Sequence, residues 1–148
     1  MRTLKSLLTA AAVATALTVM PHSPARADGH DPLADGQVIA TSSFVGESNH
    51  TVSGGVQIVR VGEGEGAKLY VVLGENFSFD GAPDPRLGFS SNDEFLAETT
   101  FSSLNLDSGQ QIYRLPASLT LAALGELDAN ELTIWCEKFG VPLAEAKF

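Results

Sequence analysis

The chain has a single cysteine, Cys136, among 148 residues, so it closes no internal disulfide and any covalent pairing of that thiol is intermolecular. Stability must come from core packing. Methionine is as scarce, with only Met1 and Met20, both near the N-terminus. Three histidines, His22, His30 and His50, offer too few donors beside one cysteine for a four-ligand zinc site. The cysteine count alone excludes a C-x-x-C-H haem attachment motif. Positive charge is also short: nine Lys and Arg face eighteen Asp and Glu, for a formal charge of −9. Nucleic acid and anionic membrane surfaces require clustered Lys and Arg, so this balance argues against both as partners.

What is there begins with a leader pattern. Arg2 and Lys5 precede the alanine-rich apolar run Leu7 to Met20, followed by Pro21 and the small-x-small triplet Ala25-Arg26-Ala27. This is the pattern of a secretory signal peptide over residues 1–27, cleaved after Ala27. The apolar run is about fourteen residues, short of the roughly 20 that span a bilayer as a helix. The expected mature protein is therefore exported, periplasmic or extracellular, with no membrane span after processing. The leader takes three cations and no acid, so the formal charge moves from −9 to −12 on the remaining chain. A chain of that length forms one domain. Its acids are scattered, as on a solvated surface.

Residues 28–36, D-G-H-D-P-L-A-D-G, are polar and read as a flexible arm. After cleavage His30 becomes the third residue, where a free amine, two backbone amides and an imidazole can form a square-planar copper(II) or nickel(II) site. The plainer reading is an incidental histidine in a tail.

From Gln37 onward, period-two alternation recurs between turn signals. Strands are expected over Gln37–Phe44, Val52–Val61 with a bulge at Gly54-Gly55, and Ala67–Leu73 with apolar residues on both faces. Further strands are expected over Arg86–Phe89, Phe95–Leu104, Gln110–Leu115, Glu131–Phe139 and Val141–Ala146. In Gln110–Leu115, Ile112 and Leu115 read as apolar with Tyr113 facing the other way. Pro116 ends that strand. Ser118 is the candidate cap of one short helix over Ser118–Leu127. Gly62–Gly66 is a hairpin connection whose two glutamates exclude a phosphate cradle. Asp80–Pro85 is dense in turn formers, with Asp80 and Asp84 as turn caps. The expected fold is an all-β, antiparallel sandwich or barrel-like sandwich of about eight short strands and at most one short helix, over residues 37–148.

Chemistry has few carriers. Leu132, Ile134 and Cys136 share one side of a strand, which puts the sulfur on the core face. Cys136 is thus either a small buried hydrophobe or the one redox-capable group. Only His50 could serve it as a base, and a thiol of ordinary acidity is only about 3% ionised at pH 7. A blue-copper centre needs two histidines, a cysteine and usually a methionine. Both methionines lie in the leader, which leaves a distorted copper site of His50, Cys136 and a carbonyl. Non-covalent haem ligation by Cys136 or His50 is also open, and neither cofactor is required.

Five stretches in order carry a family likeness: F-V-G-E-S-N-H-T-V-S-G at 44–54, L-G-E-N-F at 73–77, G-A-P-D-P-R-L-G-F at 81–89, L-N-L-D-S-G-Q-Q-I-Y-R-L-P at 104–116 and I-W-C-E-K-F-G-V-P-L-A-E-A at 134–146. Together they resemble the electron-transfer DM-thirteen domain family. The resemblance implies a β-rich extracytoplasmic domain whose cysteine, matching Cys136, takes part in redox chemistry as a thiol or as a ligand to a prosthetic group, with a protein redox partner. His50, Trp135, Asp84 and Tyr113 fall in these motifs. Gly54, Gly81, Pro83 and Pro116 do so as turn and bulge positions. Trp135 reads as an anchor on the opposite sheet face with its indole N–H satisfied locally, and His50 as a turn residue bonded to nearby backbone. The competing reading is a non-catalytic binding or structural module, with Cys136 in the core and loops 80–85 or 90–94 against a partner. No independent catalytic activity is expected.

Overall fold

A computed structural model describes residues 31–148; the expected leader and His30 lie outside the described residues. In chain order the strands are β1 (Gly36–Ser43), β2 (Val45–Gly46), β3 (Val52–Ser53), β4 (Gly55–Val61), β5 (Lys68–Leu73) and β6 (Ser78–Phe79). They continue as β7 (Pro85–Ser91), β8 (Glu94–Leu96), β9 (Ser102–Ser103), β10 (Gln111–Arg114), β11 (Glu131–Cys136) and β12 (Val141–Lys147), with one helix, α1 (Leu121–Glu126). One sheet has the order β1-β4-β5-β10. The other runs β2-β12-β11-β7-β8, with β9 also paired to β7, and β3 pairs with β6. All pairings are antiparallel, and the architecture is an all-β sandwich. The strands number twelve where about eight were expected, four of them being two-residue pieces. No described helix is long and apolar enough to cross a membrane.

The central strands follow from alternation. In β5, Leu69, Val71 and Leu73 face the space between the sheets while Tyr70 and Val72 are buried on the outer face, matching its position between β4 and β10. The opposite sheet contributes Leu87 and Phe89 from β7, Leu132 and Ile134 from β11 and Leu143 from β12. Of the expected arm, Asp31–Asp35 forms a turn that packs Leu33 onto Val59, Tyr70 and Val72.

Four local expectations are corrected. The Val52–Val61 run is two strands, because Gly54 adopts φ 113° and hands the chain from β3 in one pairing to β4 in another. The Phe95–Leu104 run is broken by a 3-10 turn at Ala97–Thr99, where the buried Thr99 hydroxyl donates to the Leu96 carbonyl (2.6 Å) and accepts from the Phe89 N–H (2.7 Å). In β10 the inward row is Gln111 and Tyr113, continued by Leu115, and Ile112 is the exposed residue. Tyr113 can face inward because its hydroxyl donates to Gln111 Oε1 (2.6 Å) and accepts from the Asn105 N–H (3.0 Å); burial pushes that phenol's pKa up. Finally, α1 is capped by Thr120, whose Oγ1 accepts from Ala123 N–H at 3.1 Å. Leu119 N–H is bound to the Pro116 carbonyl, so Ser118 lies in the turn that precedes the helix.

Candidate functional site

Cys136 is the last residue of β11, paired with Pro85 of β7 on one side and Val141 of β12 on the other. The same register sets Trp135 opposite Arg86. The motif stretches at 81–89 and 134–146 are therefore one structural unit. Sγ of Cys136 donates to the Pro83 carbonyl at 3.2 Å, and Glu137 N–H donates to the Asp84 carbonyl at 3.2 Å. The loop Asp80–Asp84 is thereby pinned across the end of β11. Gly81 (φ 89°) and Asp84 (φ 50°) supply its left-handed positions, and the Asp84 carboxylate pairs with Arg86 at 2.8 Å. With 1% of Cys136 exposed and Leu87, Ile134 and Val141 in the core around it, the sulfur is sealed.

His50 is tied down elsewhere. Its Nδ1 lies 2.9 Å from Asp80 Oδ1, and Asp80 Oδ2 accepts the Thr51 N–H at 2.8 Å. This corrects the expected backbone partner to a carboxylate on the neighbouring loop. The Thr51 amide, then the His50 side chain, hold the Asp80 carboxyl below its ordinary pKa. The His50 imidazole also tilts against the Phe79 ring, 5.9 Å between centroids. Among the described residues no hydrogen bond joins His50 to Cys136, so the base and nucleophile pair is not assembled. Nor do the two belong to any group of three ligating side chains close enough to share a metal ion.

Trp135 projects from the opposite face of β11 and stacks on Phe95, with centroids 4.5 Å apart and planes 4° apart. That stack is its anchor, where a local hydrogen bond for the indole N–H was expected. On the same outer face, Ser90 and Thr133 share a 2.6 Å hydroxyl contact, and Arg86 Nη1 donates to Ser103 Oγ at 2.9 Å.

A cluster with no counterpart among the sequence expectations lies further along this face. Asp93, Glu131 and Glu145 surround Lys147, whose Nζ is bonded to Asp93 and lies 3.0 Å from Glu131 and 3.9 Å from Glu145. Glu131 also accepts the Asp93 N–H at 3.0 Å, latching the β7–β8 turn to the start of β11. The ammonium already occupies the place a cation would take. A sequence signal existed: Glu131 and Glu145 are acids inside apolar strand segments, E-L-T-I and L-A-E-A.

Burial, then the neighbouring Glu131 and Asp93 charges, raise the pKa of Glu145 above the ordinary carboxylate range. A raised folded-state pKa contributes stability that is fully present below the unfolded value and is lost as pH rises through the folded one. Glu145→Gln is therefore expected to raise the urea midpoint at pH 8 and to leave it little changed at pH 4. A midpoint lowered at pH 8 would contradict this assignment.

Compared with known proteins, the chain matches no protein family, no curated protein and no solved structure.

Proposed function

We propose that this chain is an exported, non-catalytic binding module in which Cys136 is a core residue. The observation that carries this reading is the sulfur itself: it is 1% exposed, and its one polar contact is a donation to the Pro83 carbonyl. Thiol chemistry asks for an accessible sulfur with a base or cation beside it. His50, the one imidazole among the described residues, is committed to Asp80. Export rests on the leader pattern of residues 1–27, and the acidic balance suits a soluble extracytoplasmic domain. The likeness to the DM-thirteen family is compatible with the β-domain and the placement of its motifs. Its redox role asks Sγ to leave the Pro83 carbonyl and open to solvent or to a prosthetic group.

The test is a redox titration of the processed protein in a dithiol buffer series, read by intact mass and by absorbance. The expected result is a thiol that stays reduced across the series and a Cys136→Ala form with the same fold. Reversible oxidation of Cys136 at a defined potential, or visible absorbance that disappears in Cys136→Ala, would establish the redox reading instead.

A further inference from the structure

In β4 the inward row runs Val56, Ile58, Arg60: two core aliphatics and then a guanidinium at the open end of the sandwich. Arg60 pairs in register with the buried Leu69 and shares with it a cleft of about 530 Å³, whose other walls are Ala67, Thr120, Leu121 and Ala122. Gly64 and the exposed Glu65 also line this cleft, and Glu65 is its one acidic wall residue. On the far side of Leu121 a second cleft of about 260 Å³ runs in toward Ile39, Ile58, Phe89 and Leu124. Leu121 is 46% exposed and forms the wall common to both. The Arg60 Nε donates to the Gly62 carbonyl at 3.1 Å, and among the described residues no carboxylate pairs with its terminal N–H groups. In a chain with twice as many acids as bases, an arginine without an acidic partner at the mouth of an apolar cleft is a place for an anion from outside.

We propose that the end of the sandwich beneath α1 binds a single-chain amphiphile with an anionic head, the head on Arg60 and the chain along Leu69 and Leu121. This gives the binding module its ligand class and so rests on that reading. The size of the larger cleft is in the range of small-molecule sites, which are mostly apolar with a few placed polar groups. A guanidinium suits a carboxylate head because it offers paired N–H donors in a fixed plane. The apolar walls select against small hydrophilic anions, and the positive head position selects against cationic amphiphiles.

The experiment is calorimetric titration of the processed protein with dodecanoate below its critical micelle concentration, set against dodecyltrimethylammonium. One dodecanoate per chain is expected, at least about tenfold tighter than the cationic analogue, as for a hydrogen-bonded charged pair. Arg60→Gln is expected to weaken dodecanoate by about tenfold and to erase the preference between heads. Ala122→Trp, an exposed position that leaves the core intact, should fill the larger cleft and remove binding without lowering the melting temperature. Equal affinity for both heads, no binding of dodecanoate, or binding unchanged in both variants would overturn the proposal. Failure to bind with Cys136 still inert would sink this ligand class alone. A reactive native Cys136 would sink the module reading whatever dodecanoate does.

Discussion

Gly54→Ala is expected to lower the unfolding free energy by about 3 kcal/mol, the upper end of what a forbidden backbone conformation costs. At φ 113° a residue with a side chain is strained, and the added Cβ would stand 2.7 Å from the Asn76 carbonyl oxygen, too close for any atom to remain in place. The strain falls where the chain leaves β3 and enters β4, so relieving it disturbs Phe44, whose N–H is bound to the Gly54 carbonyl at 3.0 Å. For a domain of this size the loss corresponds to roughly 10 °C in melting temperature. Gly64→Ala is the control: it too has positive φ, but a Cβ there meets nothing within 4 Å, so only the backbone cost remains. A Gly54→Ala loss no larger than that of Gly64→Ala would show that the close approach to residues 76 and 77 does not exist.

Phe89→Ala is expected to cost about 4 kcal/mol, within the range for removing a fully buried phenyl ring. Phe89 has no exposed surface, lies opposite Leu132 in β11 and packs its ring 5.8 Å from that of Phe101. The backbone around it cannot collapse freely, because the Thr99 hydroxyl, itself donated to the Leu96 carbonyl, accepts the Phe89 N–H at 2.7 Å. Phe139, 65% exposed on the turn after β11, supplies the comparison, and its replacement by alanine should change stability by no more than about 0.5 kcal/mol. Urea unfolding of the two variants measures both. Similar costs for the two phenylalanines would mean that the sheets do not meet as described.

The parts of this fold that can be read from sequence are those set by local periodicity. β11 alternates while β5 is apolar on both faces, and in each the facing of the side chains, including the inward sulfur of Cys136, follows from counting in twos. Gly54 was legible as a special backbone position, though not as the point where one strand becomes two, since that depends on which segments β3 and β4 pair with. Tyr113 escaped because its inward orientation depends on Gln111 and on the amide of Asn105, contacts made by folding. The same holds for the candidate site: His50 finds Asp80 across 30 positions and Cys136 finds Pro83 across 53. Periodicity carries no information about such pairings. Arg60 had a visible mark, a charge in the inward phase of an apolar strand, which reads equally as a strand end until the cleft around it is seen.

Whether Cys136 is a core residue is decided by its alkylation in the folded protein, followed by intact mass against time and repeated in guanidinium chloride. A core thiol donating to the Pro83 carbonyl predicts no added mass under native conditions and rapid, complete modification once unfolded. Native modification at the rate of a free cysteine in solution would contradict it and return Cys136 to the reactive groups.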